Sequence, residues 1–146
     1  MEEENKPKIT SKVIKYPLYL PEDRIKVWIV DKISNVQKSI RKDIDSHYGH
    51  FDYDNGDLDA LVYRKSEDKG KHQYRHVIFV RKYLTPGLIA HEAVHIKNMM
   101  FDAVGIINDL NNDEPEAYFM GWLVDAIHEV VAKDKENHSW FSIRWT

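Results

Sequence analysis

Hydrophobic positions along this chain recur with two periods. Residues 1–11 have neither: they are charged and polar, Ile9 is the one apolar anchor after Met1, and the stretch reads as a loose tail. Next come two runs rich in branched and aromatic residues, VIKYPLYL at 13–20 and IKVWIV at 25–30, with the composition of strands and a turn at 21–24. Pro17 suits an edge strand or a break better than a central strand. Over residues 31–44 the period changes. Ile33, Val36, Ile40 and Ile44 recur at helical steps among Lys, Arg, Ser and Asp, the pattern of an amphipathic helix lying on a sheet. Residues 58–64 and 74–83 return to strand character and read as a hairpin joined by the polar stretch 65–72.

Two apolar helical segments close the domain. The first covers 86–104, with Thr85 able to cap it, Pro86 at a position where a missing N–H costs nothing, and Gly105 able to end it in the left-handed conformation. The second covers about 114–133. The order of elements predicts an α+β fold: a sheet of about four strands with a packing helix, followed by two further helices, in one domain over residues 12–136. Residues 137–146 form an aromatic C-terminal tail containing Trp140, Phe141 and Trp145, able to pack on its own domain or on a partner.

Composition narrows the classes of function. A chain of 146 residues with 42% hydrophobic and 12% aromatic content is long and apolar enough for one globular core. Cysteine is absent, so neither disulfides nor thiolate metal sites nor a cysteine nucleophile can operate, and any metal must be held by His and carboxylate. The formal charge of −3 comes with scattered Lys and Arg, so no nucleic-acid partner is expected. No apolar run is long enough for a membrane span and the N-terminus is too polar for a secretion signal, which makes a cytoplasmic location the expectation.

The chemistry concentrates on the first of the two apolar helices. His91, Glu92 and His95 stand in the order H-E-x-x-H, which places two imidazoles one helical turn apart with a carboxylate beside them. His91, His95, Asn98 and Asp102 fall on one narrow stripe, while apolar residues cover most of the remaining surface. Two buried histidines need partners, and a zinc ion is one that both can ligate. A third protein ligand is then required. Glu114 and Glu116 at the start of the second helix compete for it. Glu116 lies three residues after Asp113, the spacing of a capping box, whereas Glu114 has no structural duty and shares a strip with Tyr118, Gly121, Asp125 and His128. Each helix therefore carries one polar seam, expected to face the other or a cavity, with a solvent-facing stripe as the alternative. His47 and His50 lie in the turn-rich stretch 46–56 and read as solvated.

H-E-A-V-H, followed after 18 intervening residues by E-P-E-A-Y, resembles the gluzincin zinc metallopeptidases, particularly the small bacterial and phage-encoded ones with Glu-x-x-Ala on the next helix. The resemblance spans about residues 85–126. It implies a minimal zincin-like core, Zn2+ held by His91, His95 and Glu114, Glu116 as the alternative ligand, and Glu92 as general base in the hydrolysis of a peptide or protein substrate through a zinc-bound water. Some gluzincins have Asp four residues after the ligand glutamate, where this chain has Tyr118. Asp125 or Asp102 would then support a zinc histidine instead, and Tyr118 or His128 would bond the oxyanion. A non-catalytic zinc-containing module acting on a protein partner is the alternative expectation.

Overall fold

The computed structural model describes residues 8–16, 23–36, 41–42, 59–64 and 73–138. Four strands form one mixed sheet: β1 (Thr10–Ile14), β2 (Asp23–Val30), β3 (Ala60–Arg64) and β4 (Gln73–Val80), in the order β1-β2-β4-β3. β1 pairs antiparallel with β2, β2 runs parallel to β4, and β3 pairs antiparallel with β4. The expected hairpin is therefore present. The first strand lies earlier than its composition suggested: Thr10 and Ser11, placed in a loose tail by their polarity, pair with Ile29 and Trp28. An edge strand needs only backbone partners on one side, so polar side chains do not disqualify it. Residues 17–20 of that expected strand lie outside the described residues.

Alternation along the strands buries two opposite faces. Ile25, Val27, Ile29, Val62, Val77 and Phe79 point to one side, where the helices pack, while Trp28, Val30, Leu61, Tyr63, Ile78 and Val80 point to the other and join Ile33 and Val36. The segment 31–44 begins with a 3-10 turn over Ile33–Asn35 rather than an α-helix, Arg41 and Lys42 are helical, and Ile40 and Ile44 lie outside the described residues. A second 3-10 turn, Arg81–Tyr83, replaces the end of the expected fourth strand and turns the chain into the first long helix.

That helix, α1 (Pro86–Val104), has the predicted bounds and both predicted caps: Thr85 Oγ1 accepts from Leu88 N at 3.1 Å, and Gly105 takes φ 75°. The second, α2 (Glu114–Asn137), continues past residue 133 because Asp134 is drawn into the protein. Phe119, Leu123, Ile127 and Val131 are fully buried against the sheet and α1. At about 1.5–3 kcal/mol for each large apolar side chain buried, this stripe anchors α2. At its far end Asp134 meets buried Arg81, which also pairs with Asp31 and donates to the Lys8 carbonyl at 3.1 Å. Among the described residues, no helix is long and apolar enough to cross a membrane.

Candidate metal centre

Helix α1 is buried on one side only. Ile89, Glu92, Ala93, Ile96, Lys97, Met100 and Phe101 face the protein, whereas Ala90, His91, Val94, His95 and Asn98 are exposed. The sequence expectation of a helix buried nearly all round with one narrow seam is thus corrected to a half-buried helix. The sheet and α2 cover less than its full circumference.

His91 and His95 lie together on the open side, their ring centroids 5.2 Å apart and their planes at 72°. Two imidazoles sharing one tetrahedral zinc, with metal–nitrogen distances of about 2.0–2.1 Å, have centroids about 5 Å apart, so the observed pair fits a shared ion. Glu92 sits behind them and is 7% exposed, with Oε1 3.9 Å from His91 Nε2. Burial pushes the Glu92 carboxyl up from its ordinary range, against the opposing pull of His91 and His95.

A cavity of about 400 Å3 opens beside this group, lined by Ala60, Leu61, Val62, Glu92, His95, Asn98 and Met99. Its opposite wall is β3, which has no outer neighbour among the described residues. Val80 N donates to Asp59 O at 3.0 Å, which places the hydrogen-bonded pairs at Asp59/Val80, Leu61/Ile78 and Tyr63/His76 in the alternating antiparallel ladder. In that ladder Leu61 and Tyr63 bond β4, and the backbone of Ala60 faces away from it, beside the cavity.

The carboxylates at the start of α2 lie differently from expectation. Asp113 makes no side-chain cap bond, so no capping box with Glu116 forms. Glu116 turns instead toward α1, where its Oε2 lies 3.4 Å from Lys97 Nζ. Lys97 Nζ also donates to Asn108 Oδ1 at 3.4 Å, and with the Asn108 amide turned over its nitrogen would lie 2.8 Å from Glu116 Oε2 and its oxygen 3.3 Å from Lys97 Nζ, satisfying both. Lys97, its ammonium also over the Phe101 ring, lies outside the residues that the motif and its spacing point to. A lone lysine among the apolar positions of the helix was the only signal in the sequence that could have found it.

Glu114 is exposed, as are Tyr118 (72%), Gly121, Asp125 and His128. The α2 strip is therefore a solvent-facing stripe rather than a seam turned to α1, because Phe119, Leu123 and Ile127 take the inward positions. Asp102 is exposed as well. Among the described residues, no three His or carboxylate groups come together as a metal site: His91 and His95 converge, while Glu114 and Glu116 do not join them. His47 and His50, like tail residues 139–146, lie outside the described residues. In comparisons with protein-family models, with curated proteins and with solved structures, no match to this chain is found.

Proposed function

We propose that the protein is a zinc-dependent metallopeptidase. The reading rests on the 5.2 Å pairing of His91 and His95 beside a cavity lined also by buried Glu92. Zinc held there would supply Lewis acidity, drawing the pKa of a water toward about 7 and polarising a scissile carbonyl. His91 and His95 would hold it, with Glu114 as third ligand and Glu116 as the alternative.

Glu92 would act as general base, accepting a water proton on its carboxylate and passing it to the leaving amine. Its burial favours the proton-carrying form, which suits a group that holds a proton between two steps. Tyr118, His128 and Asp125, all exposed on α2, are the candidates to bond the oxyanion or orient a histidine.

A second reading, a non-catalytic zinc-containing module acting on a protein partner, is favoured by the open position of Glu114 and the engagement of Glu116 by Lys97. One experiment separates the two. Purified protein with stoichiometric zinc should cleave a broad peptide library in a chelator-sensitive way, and Glu92→Gln should abolish cleavage while zinc stays bound. Bound zinc with no cleavage selects the second reading, and no zinc uptake sinks both.

A further inference from the structure

Two isoleucines follow the left-handed stop at Gly105, and they part company: Ile106 packs against the core, while Ile107 is 85% exposed. Leu110, three residues on, is 95% exposed. One apolar side chain at a surface is ordinary, but two in one short loop, both almost wholly in water, are the mark of a contact surface. The loop is not holding them out by being loose. Ile106 N donates to Phe101 O at 2.9 Å, and Asn112 N donates to Asp109 O at 3.1 Å, closing a turn whose central residues are Leu110 and Asn111. Asn111 N donates to Asp109 Oδ1 at 2.9 Å, and buried Lys97 holds the Asn108 side chain. Gly, Pro, Asn, Asp and Ser dominate such turns, so the turn itself does not call for a leucine at its tip. A side chain already fixed in the position from which it binds loses little further freedom when a partner covers it.

The setting is acidic. Neither Lys nor Arg occurs between Lys97 and Lys133, whereas Asp102, Asp109, Asp113 and Glu114 are all exposed in and beside the loop. Lys97 itself is buried and paired with Glu116. Tyr118, one turn into α2 from Glu114, is 72% exposed. Apolar and aromatic side chains within a rim of one charge combine what holds a partner with what selects it.

We propose that the connection between α1 and α2, with the first turn of α2, is a docking surface for a basic amphipathic segment of another protein. Apolar side chains of that segment would cover Ile107, Leu110 and Tyr118, and its Lys or Arg side chains would meet Asp109, Asp113 and Glu114. The same carboxylates repel an acidic partner or an anionic membrane surface. The proposal goes beyond the metallopeptidase reading and needs no ion at His91 and His95.

The test titrates the isotopically labelled full chain with three synthetic peptides while its amide NMR signals are followed. The first has Leu at one helical face and Lys elsewhere, the second has Glu for every Lys, and the third has Ser for every Leu. The Leu/Lys peptide should bind with a Kd below about 1 mM and shift the signals of Ile107, Leu110 and Tyr118, and both controls should bind at least about 10-fold more weakly. Ile107→Ser/Leu110→Ser should weaken its binding at least about 10-fold, and Asp109→Asn/Asp113→Asn should flatten its dependence on salt. All four positions are exposed, so both variants should keep the wild-type melting temperature.

Equal binding of the Lys and Glu peptides overturns the proposal, as does wild-type affinity in Ile107→Ser/Leu110→Ser. No binding of the Leu/Lys peptide at about 1 mM overturns it too. Sedimentation tests the rival occupant: a wild-type dimer that Ile107→Ser/Leu110→Ser dissolves assigns the surface to a second copy of this chain and removes the basic partner. Zinc uptake and peptide cleavage enter none of these readouts, so the metallopeptidase reading stands or falls separately.

Discussion

Asp134, near the C-terminal end of α2, grips Arg81 with both carboxylate oxygens, Nε to Oδ2 at 2.8 Å and Nη2 to Oδ1 at 3.1 Å. Burial works against the charge of Arg81, but Asp134 and Asp31 more than offset it and raise the guanidinium pKa above its ordinary value. Thr10 also donates to Asp134, so one buried carboxylate ties strand β1, the turn after β4 and the last helix together.

Replacing Asp134 with Ala removes the fully buried partner and leaves Arg81 with half-exposed Asp31. Uncompensated burial of one ion-pair member costs about 3–5 kcal/mol. Urea unfolding of Asp134→Ala should show a loss of that order. A change below about 0.5 kcal/mol, the usual size for a surface substitution, would mean that the pair does not anchor the helix.

Glu92 makes a prediction about pH. Its folded-state pKa lies above the unfolded value because burial disfavours the carboxylate. The group therefore favours folding most below the ordinary carboxylate range, and that contribution is lost as pH rises through the raised folded value. Metal-free Glu92→Gln should accordingly be more stable than the wild type at neutral pH, the advantage shrinking as pH falls below the carboxylate range. Thermal melts of both proteins across pH would check it, and equal melting temperatures at neutral pH would count against a buried ionised Glu92.

His91 and His95 should matter to the metal rather than to the fold. His91 is 64% exposed, so His91→Ala should change the stability of metal-free protein by no more than about 0.5 kcal/mol. Zinc at about 100 times its Kd should stabilise the wild type by about 2.7 kcal/mol, and that gain should vanish in His91→Ala and His95→Ala. Calorimetric melts with and without zinc measure both quantities. A zinc-induced gain surviving both substitutions would place the ion elsewhere.

The caps of α1 can be tested separately. Thr85→Ala removes the acceptor for Leu88 N and should cost about 1 kcal/mol. Gly105→Ala forces a side chain into φ 75° and should cost about 1 kcal/mol or more, although no neighbouring atom would touch the added methyl. Denaturant midpoints with unchanged slopes would confirm that only stability has moved.

Helix α1 was legible residue by residue. Thr85, Pro86 and Gly105 are local signals, and a cap or a left-handed stop is decided by atoms within a few residues of it. The α+β order and the antiparallel pairing of β3 with β4 followed from equally local alternation. The spacing of His91 and His95 also sufficed to predict that two imidazoles would meet, since one helical turn separates them whatever surrounds the helix.

The sequence by itself thus determined the two long helices, the β3–β4 hairpin, the order of the elements and the paired histidines, because each depends on neighbours in the chain. Only the tertiary structure decided the parallel pairing of β2 with β4, the entry of Thr10 and Ser11 into the sheet, and the union of Arg81 with Asp134. It also decided the fate of the two glutamates. A capping box for Glu116 is plausible from spacing, but the buried ammonium of Lys97 lies 3.4 Å from the same carboxylate, and a charged partner shielded from water on its own side draws Glu116 away from the cap.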